Sequence, residues 1–342
     1  MVTKIGLDLG YANITLSDVT TGVYREPSIA LIDKDSHRII SVGSQAMMGG
    51  EELSGGLLVR PFKNGLLFDH RITESVIANA VKAVLPAERV RCVIGVPGDF
   101  LPKQEKELFE MLITAGVTEC YSVSRSLAAL VGAGYSPLMS VVSVNVGAAS
   151  TEICVLHNGA IIYVARESIG GEDFDKAVKQ YILEQGDVNV SLSVARAIKE
   201  KLGSVWRGRA AESIDIEGTL SLTGNRVKMS VSTEDIVGVF EKPLHRLLMA
   251  VADAVKKIPL DCVEDVFGNG IVLSGGGALL YGLDMMMSKI LGVPVTVPDE
   301  PMDCVAKGLS RINTFIPMHS RAGKRNVTAQ VAKYYENKKS SK

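Results

Sequence analysis

The feature that most constrains this chain is a pattern that occurs twice. Near the start, KIGLDLG and NITLSDV are two alternating apolar segments around the turn Gly10-Tyr11-Ala12-Asn13. The pattern returns as SVVSVNVGAASTEICVL at an offset of 137 residues, so that Asp8 falls on Asn145 and Gly10 on Gly147. Period-two alternation bounded by small turn residues predicts a β-hairpin. A lone hairpin is marginally stable in water, so each must open a larger sheet. Two matched hairpins predict two lobes of related design. A length of 342 residues suits two domains, and 46% apolar content lets both bury a core without disulfide or metal staples. No low-complexity linker divides the chain, which predicts several crossings between the lobes.

Strand and helix patterns alternate through both halves, which is the α/β class. CVIGVP reads as a buried strand closed by Pro97 and Gly98, and KQEKELFEMLITAG and VARAIKEKLGSVW as amphipathic helices. STEDIVGVFEKPLHRLLMAVADAVKKI predicts one long helix capped by Ser232 or Thr233, with Pro243 kinking or splitting it.

Three small-residue turns follow strands: Gly10 to Asn13, Gly147 to Ser150, and Gly275-Gly276-Gly277 before ALLYGLDMMMSKIL. Such turns let backbone N–H groups converge on an anion, and the third is expected to open a helix, whose dipole adds to the attraction. Neither GxxxxGK[ST] nor a proper GxGxxG is present, so the P-loop and Rossmann fingerprints do not apply. The competing reading of any one turn is an ordinary tight connection; three together favour phosphate binding.

DLGYAN, RPFKNGLLFD, VIGVP, NVGAASTE, GGEDFD and GIVLSGGGALLYGL occur here in an order that resembles the MreB family of bacterial actins. The resemblance runs over about residues 4–312 and extends, more distantly, to actin and DnaK-type chaperones. It implies an actin-like bilobal fold, with two mixed-sheet lobes closing on a nucleotide cleft. The expected division is a first lobe of residues 1–140 with a subdomain at 31–79, and a second of 141–317 with a subdomain at 181–240. Residues 318–342 form a separate basic tail. It also implies ATP held at the phosphates by Gly10, Tyr11, Ala12 and Asn13 on one side and Gly147, Ala148, Ala149 and Ser150 on the other. The adenosine would lie on Arg196, Lys199, Gly275, Gly276, Gly277, Ala278 and Leu279, with Asp8 holding Mg2+ through water. Self-assembly into filaments under the membrane, shaping cell and wall, is the implied function. Copolymerisation with paralogous actin-like subunits stays open. So does a non-polymerising chaperone-like or scaffold ATPase of the same fold.

The departures from the family pattern bear on hydrolysis. Tyr11 stands for a threonine, Asn145 for an aspartate, Ala148 and Ala149 for glycines, Arg125 for the water-orienting glutamate, and Arg196 for the glutamate of AExxK. Asn145 has no charge for a hard, hydrated cation. Arg125 is a permanent cation and cannot draw a proton from water. Binding without effective hydrolysis is therefore expected, with Arg125 meeting the γ-phosphate.

Cys92, Cys120, Cys154, Cys262 and Cys304 form no CxxC pair and read as reduced core residues. The five histidines lack metal-ligand spacing. A net charge of −1 gives no reason to expect nucleic acid. No signal peptide or membrane span is evident, so a cytoplasmic protein is expected. The apolar loop that carries some family members to the membrane is short and mixed here, LPAERVR. The tail holds Arg321, Lys324, Arg325, Lys333, Lys338, Lys339 and Lys342 against Glu336, a net +6. Val327, Val331, Tyr334 and Tyr335 mark one helical face there, which points to an anionic membrane surface or, equally, to a disordered soluble tail.

Overall fold

The computed structural model describes residues 2–50, 55–63, 66–67, 69–84, 89–316 and 324–340. Both predicted hairpins form, Val2–Leu9 with Asn13–Asp18 and Val141–Val146 with Thr151–His157. Val141–Val146 is almost wholly buried and Val2–Leu9 is buried from Ile5 to Leu7 and at Leu9, because their Val, Ile and Leu residues are covered on both faces. The two sheets grow from the hairpins in the same way. Gly22–Pro27 and Ala160–Glu167 add antiparallel on one side. Arg89–Val96 and Ile271–Ser274 add parallel on the other. The repeat extends to single bonds: Gly10 N–H donates to Asn13 O at 3.0 Å, and Gly147 N–H to Ser150 O at 2.9 Å.

Two smaller sheets stand on this frame. Ala30–Asp33, Ile39–Val42 and Gly56–Val59 form one, and Val188–Asn189, Ser213–Leu220 and Arg226–Ser232 the other. Each lobe has its own core, around Ile5, Leu16, Ile77 and Leu112 in the first and around Val144, Phe174, Ile198 and Leu247 in the second. A third apolar cluster joins them, with Tyr121, Leu127 and Leu309 packed beside Cys154, Leu156 and Val272. All five cysteines are buried and free.

Three expectations need correction. The predicted long helix is split, as one of the two expectations had it, but not at Pro243: its parts are Thr233–Ile236, capped by the Ser232 hydroxyl, and Glu241–Val255. The break precedes Pro243 and falls at Gly238, whose φ of +94° no helix admits. Pro243 sits in the first turn of the second helix, where its missing N–H costs nothing. The Cys304–Phe315 helix, assigned by sequence to the second lobe, packs on Val2–Leu9, Arg89–Val96 and the Arg125–Gly132 helix of the first. The tail, finally, is part of the first lobe. Lys324–Asn326 adds a parallel strand to Glu119–Ser124, and the Thr328–Ser340 helix follows. Val327 and Val331 are buried in the joining cluster, and Phe315 stacks on Tyr334 at 4.0 Å. Most of the apolar face seen in sequence is thus covered within the protein, Tyr334 staying exposed at its edge. Arg321 and Lys342 lie outside the described residues, as do residues 85–88 of the LPAERVR loop.

Candidate functional site

The two hairpin turns and the triple glycine meet in one cleft between the lobes. Its volume is about 550 Å³, and its wall includes Asp8, Gly10 to Asn13, Arg125, Asn145, Gly147 to Ser150, Arg196, Lys199, Gly275 to Gly277 and Leu279. Ala278 stands beside it, buried. The lining therefore brings together nearly every residue singled out from the sequence.

Both turns leave backbone amides unpaired. The Gly10 and Gly147 amides close their own turns, while the amides of Tyr11, Ala12, Ala148 and Ala149 have no protein acceptor among the described residues. The second turn is pinned from below: Gly171 N–H donates to Gly147 O at 2.9 Å and Glu172 N–H to Ala148 O at 2.8 Å. A Cβ at Gly170 would meet Ala148 O at 2.7 Å, so the GGEDFD glycine permits this approach. Gly275 holds φ +83°, and a Cβ there would come within 2.4 Å of Val146 O. The triple glycine does not open an α-helix. It enters a four-residue 3₁₀ turn, Gly276–Leu279, and the helix begins only at Leu283. The dipole expected at this loop is absent, because the left-handed backbone of Gly282 separates the two.

Arg125 lines the cleft. Its Nε lies 3.0 Å from Asp8 Oδ1, and its Nη2 donates to Leu9 O at 2.9 Å. The residue expected to meet a γ-phosphate is thus also paired with the residue expected to hold a metal. Behind it, Ser126 Oγ donates to Glu152, a buried carboxylate from the second hairpin. Burial pushes the Glu152 carboxyl above its ordinary range, only partly offset by the charge of Arg125.

Arg196 and Lys199 converge on Asp175, at 3.1 Å to Oδ2 and 2.6 Å to Oδ1. Lys199 also donates to Gly171 O at 3.0 Å. Tyr11 fills the mouth of the first turn. Arg60 lies over its ring at 5.0 Å and donates to Tyr11 O at 3.0 Å. Burial first, then the Glu172 carboxylate across the cleft, raise the Tyr11 phenol. Asp175, Glu172, Arg60 and Glu152 were missed as site residues. The first two sit in GGEDFD and Arg60 in RPFKNG, motifs visible in the sequence; only three-dimensional placement turns Asp175 and Glu172 to the cleft and Arg60 to the Tyr11 turn beside it.

A hydrated magnesium ion fits this donor set poorly. Asp8 is engaged by a guanidinium, Asn145 is neutral, and no group of three or more His, Cys, Asp or Glu side chains converges among the described residues.

Two sheets begun by matched hairpins, hinged on a joining cluster and closing over paired small-residue turns, define an actin-like protein. Solved structures agree on that fold. MreB5 of Spiroplasma citri bound to ADP superposes with TM-score 0.86 at 20% identity, over 98% of this chain and 99% of its own. A subunit of the MamK double helical filament gives 0.79 at 21% identity, over 93% and 100%. The MreB/Mbl protein family model matches residues 2–321, and the chain belongs to that family. The cell shape-determining protein Mbl of Bacillus cereus is 30% identical over 312 residues, covering 89% of this chain and 93% of Mbl. The cell shape-determining protein MreB of Haemophilus influenzae is 29% identical over 331 residues, covering 92% and 94%.

Proposed function

We propose that this chain binds ATP in the interlobe cleft and assembles into filaments of the cell-shape cytoskeleton in the cytoplasm, with hydrolysis weakened or absent. The cleft itself carries the reading: two turns with unpaired amides face each other across a space lined by both lobes. Such a site couples the angle between lobes to its occupant, which is what nucleotide-controlled assembly requires. The relatives support it, since MreB5 was solved with ADP and with AMPPNP, MamK as a filament, and Mbl and MreB are cell shape-determining proteins. Weak hydrolysis follows from the residues present. Water must be aligned behind the γ-phosphate by an acceptor, and Arg125 can only donate.

Sedimentation with and without ATP, followed by electron microscopy of the pellet, tests this. Nucleotide-dependent pelleting with visible filaments is expected. A monomer in every nucleotide state contradicts the reading and favours the non-polymerising scaffold.

Two finer parts belong to the same proposal. One is copolymerisation with a paralogous actin-like subunit, checked by co-pelleting; a paralogue left wholly in the supernatant sinks it. The other is attraction of the basic tail to anionic membrane, now by charge alone because Val327 and Val331 are buried. Each basic residue near such a surface contributes about 1 kcal/mol, screened by salt. Lys333, which is exposed, gives the test: Lys333→Glu is expected to weaken binding to phosphatidylserine vesicles at low salt. Unchanged binding removes the tail from the account.

A further inference from the structure

We infer that Arg125 replaces the metal ion of this cleft, so that a nucleoside triphosphate binds here against a built-in cation and needs no divalent ion. The inference rests on the nucleotide reading above and concerns the same site.

Four observations carry it. First, Arg125 is positioned by one hydrogen bond and one ion pair: Leu9 O accepts from its Nη2 at 2.9 Å, and its Nε lies 3.0 Å from Asp8 Oδ1 without hydrogen-bond alignment. Both side chains are mostly buried, at 15% and 18% exposure, so water does little to loosen the pair. Second, Nη1 has no protein partner among the described residues, and Arg125 lines the cleft between the two hairpin turns. A planar guanidinium with a free edge is suited to a phosphate oxygen. Third, the carboxylates that would orient the water shell of a divalent ion are spent. Asp8 is neutralised by Arg125, and Asn145 carries no charge. Glu152 is buried and bonded by Ser126. Magnesium keeps several waters and relies on such carboxylates to hold them. Fourth, the other cations of the wall are each held by a carboxylate away from the two turns: Arg196 and Lys199 by Asp175, Arg25 by Asp303 and Arg166 by Asp99.

Two consequences follow. The charge of the phosphates is met by a group that cannot dissociate, so occupancy does not track the divalent concentration. The cost is in turnover, since the guanidinium favours bound triphosphate in its ground state as much as in any transition state.

Calorimetric titration of the full chain with ATP, in excess Mg2+ and in EDTA, tests the inference. The Kd values are expected to agree within about threefold. Binding that is strong in Mg2+ and about tenfold or more weaker in EDTA overturns the inference while leaving the nucleotide reading intact. Absence of binding in both overturns the two together. Arg125→Gln supplies the second arm, with folding checked by circular dichroism. It is expected to lose about tenfold in EDTA and to recover part of that in Mg2+, because Asp8 is then free. An equal loss under both conditions means that Arg125 only supports the fold, and overturns the inference.

Discussion

Asp175 is fully buried and takes charge from two side chains, Arg196 and Lys199. Removing one partner of such a cluster leaves uncompensated charge in a poorly hydrated place. Asp175→Ala is predicted to destabilise the protein by about 3 kcal/mol, read from the urea midpoint; a change within 0.5 kcal/mol, roughly the scatter of surface substitutions, contradicts it. At Arg125 the prediction concerns turnover. Arg125→Glu returns a hydrogen-bond acceptor to the place where water must be aligned, so ATP hydrolysis in Mg2+ should rise, modestly, because Asn145 is unchanged. A fall from a substantial wild-type rate would make Arg125 catalytic. Glu152 gives a pH dependence. Its folded carboxyl titrates above the unfolded one, so its stabilisation is full below the ordinary carboxylate value and lost as pH rises through the raised one. Glu152→Gln removes that loss: the Tm of the variant relative to wild type should climb as pH rises above the ordinary carboxylate value. A flat difference rules out the burial argument. The identity of Arg125 was legible in the sequence as a departure from pattern. Its partner was not, because Asp8 lies 117 positions away and only the parallel pairing of sheet strands brings the two together.

Elements are held by close approaches that sequence patterns do not display. The Arg125–Gly132 and Cys304–Phe315 helices touch through a reciprocal pair of glycines. A Cβ at Gly132 would fall 1.7 Å from Cys304 O, and one at Gly308 would fall 1.8 Å from Ala128 O. Gly308→Ala is therefore predicted to cost about 3 kcal/mol by forcing the helices apart, and because Arg125 opens one of them, the Asp8 pair should loosen too. Thermal unfolding measures the first effect, and an unchanged Tm refutes it. The strands and most helices were legible, since period-two and 3.6-residue patterns record which face is buried. What escaped was punctuation and destination. The helix was expected to kink or split at Pro243 but breaks at Gly238, and the 3₁₀ turn after Gly275 replaces the expected helix start. The tail's spacing of Val327 and Val331 reported an apolar face correctly, yet an apolar face does not say what will cover it; here it is Phe315 and the joining cluster.

At the scale of the whole molecule, the repeat at 137 residues was the strongest signal and the structure obeys it from strand order down to the turn hydrogen bonds. The division of labour between lobes was less legible. The chain crosses back, so the last helices complete the first lobe and form the joint on which both lobes rest. Further ties span the cleft, among them Arg166 to Asp99 at 2.8 Å and Ser126 to Glu152. These contacts set the angle at which the paired turns face each other, and that angle is what a bound nucleotide would hold. The account's central claim is that this cleft is the nucleotide site and that Arg125 stands in it as the cation. A crystal structure of the full chain with AMPPNP, grown in EDTA, tests it most directly. The account predicts the phosphates between Gly10–Asn13 and Gly147–Ser150, with Arg125 still on Asp8 and its free edge on a phosphate oxygen. Phosphates bound elsewhere, or Arg125 turned away from them, would contradict it.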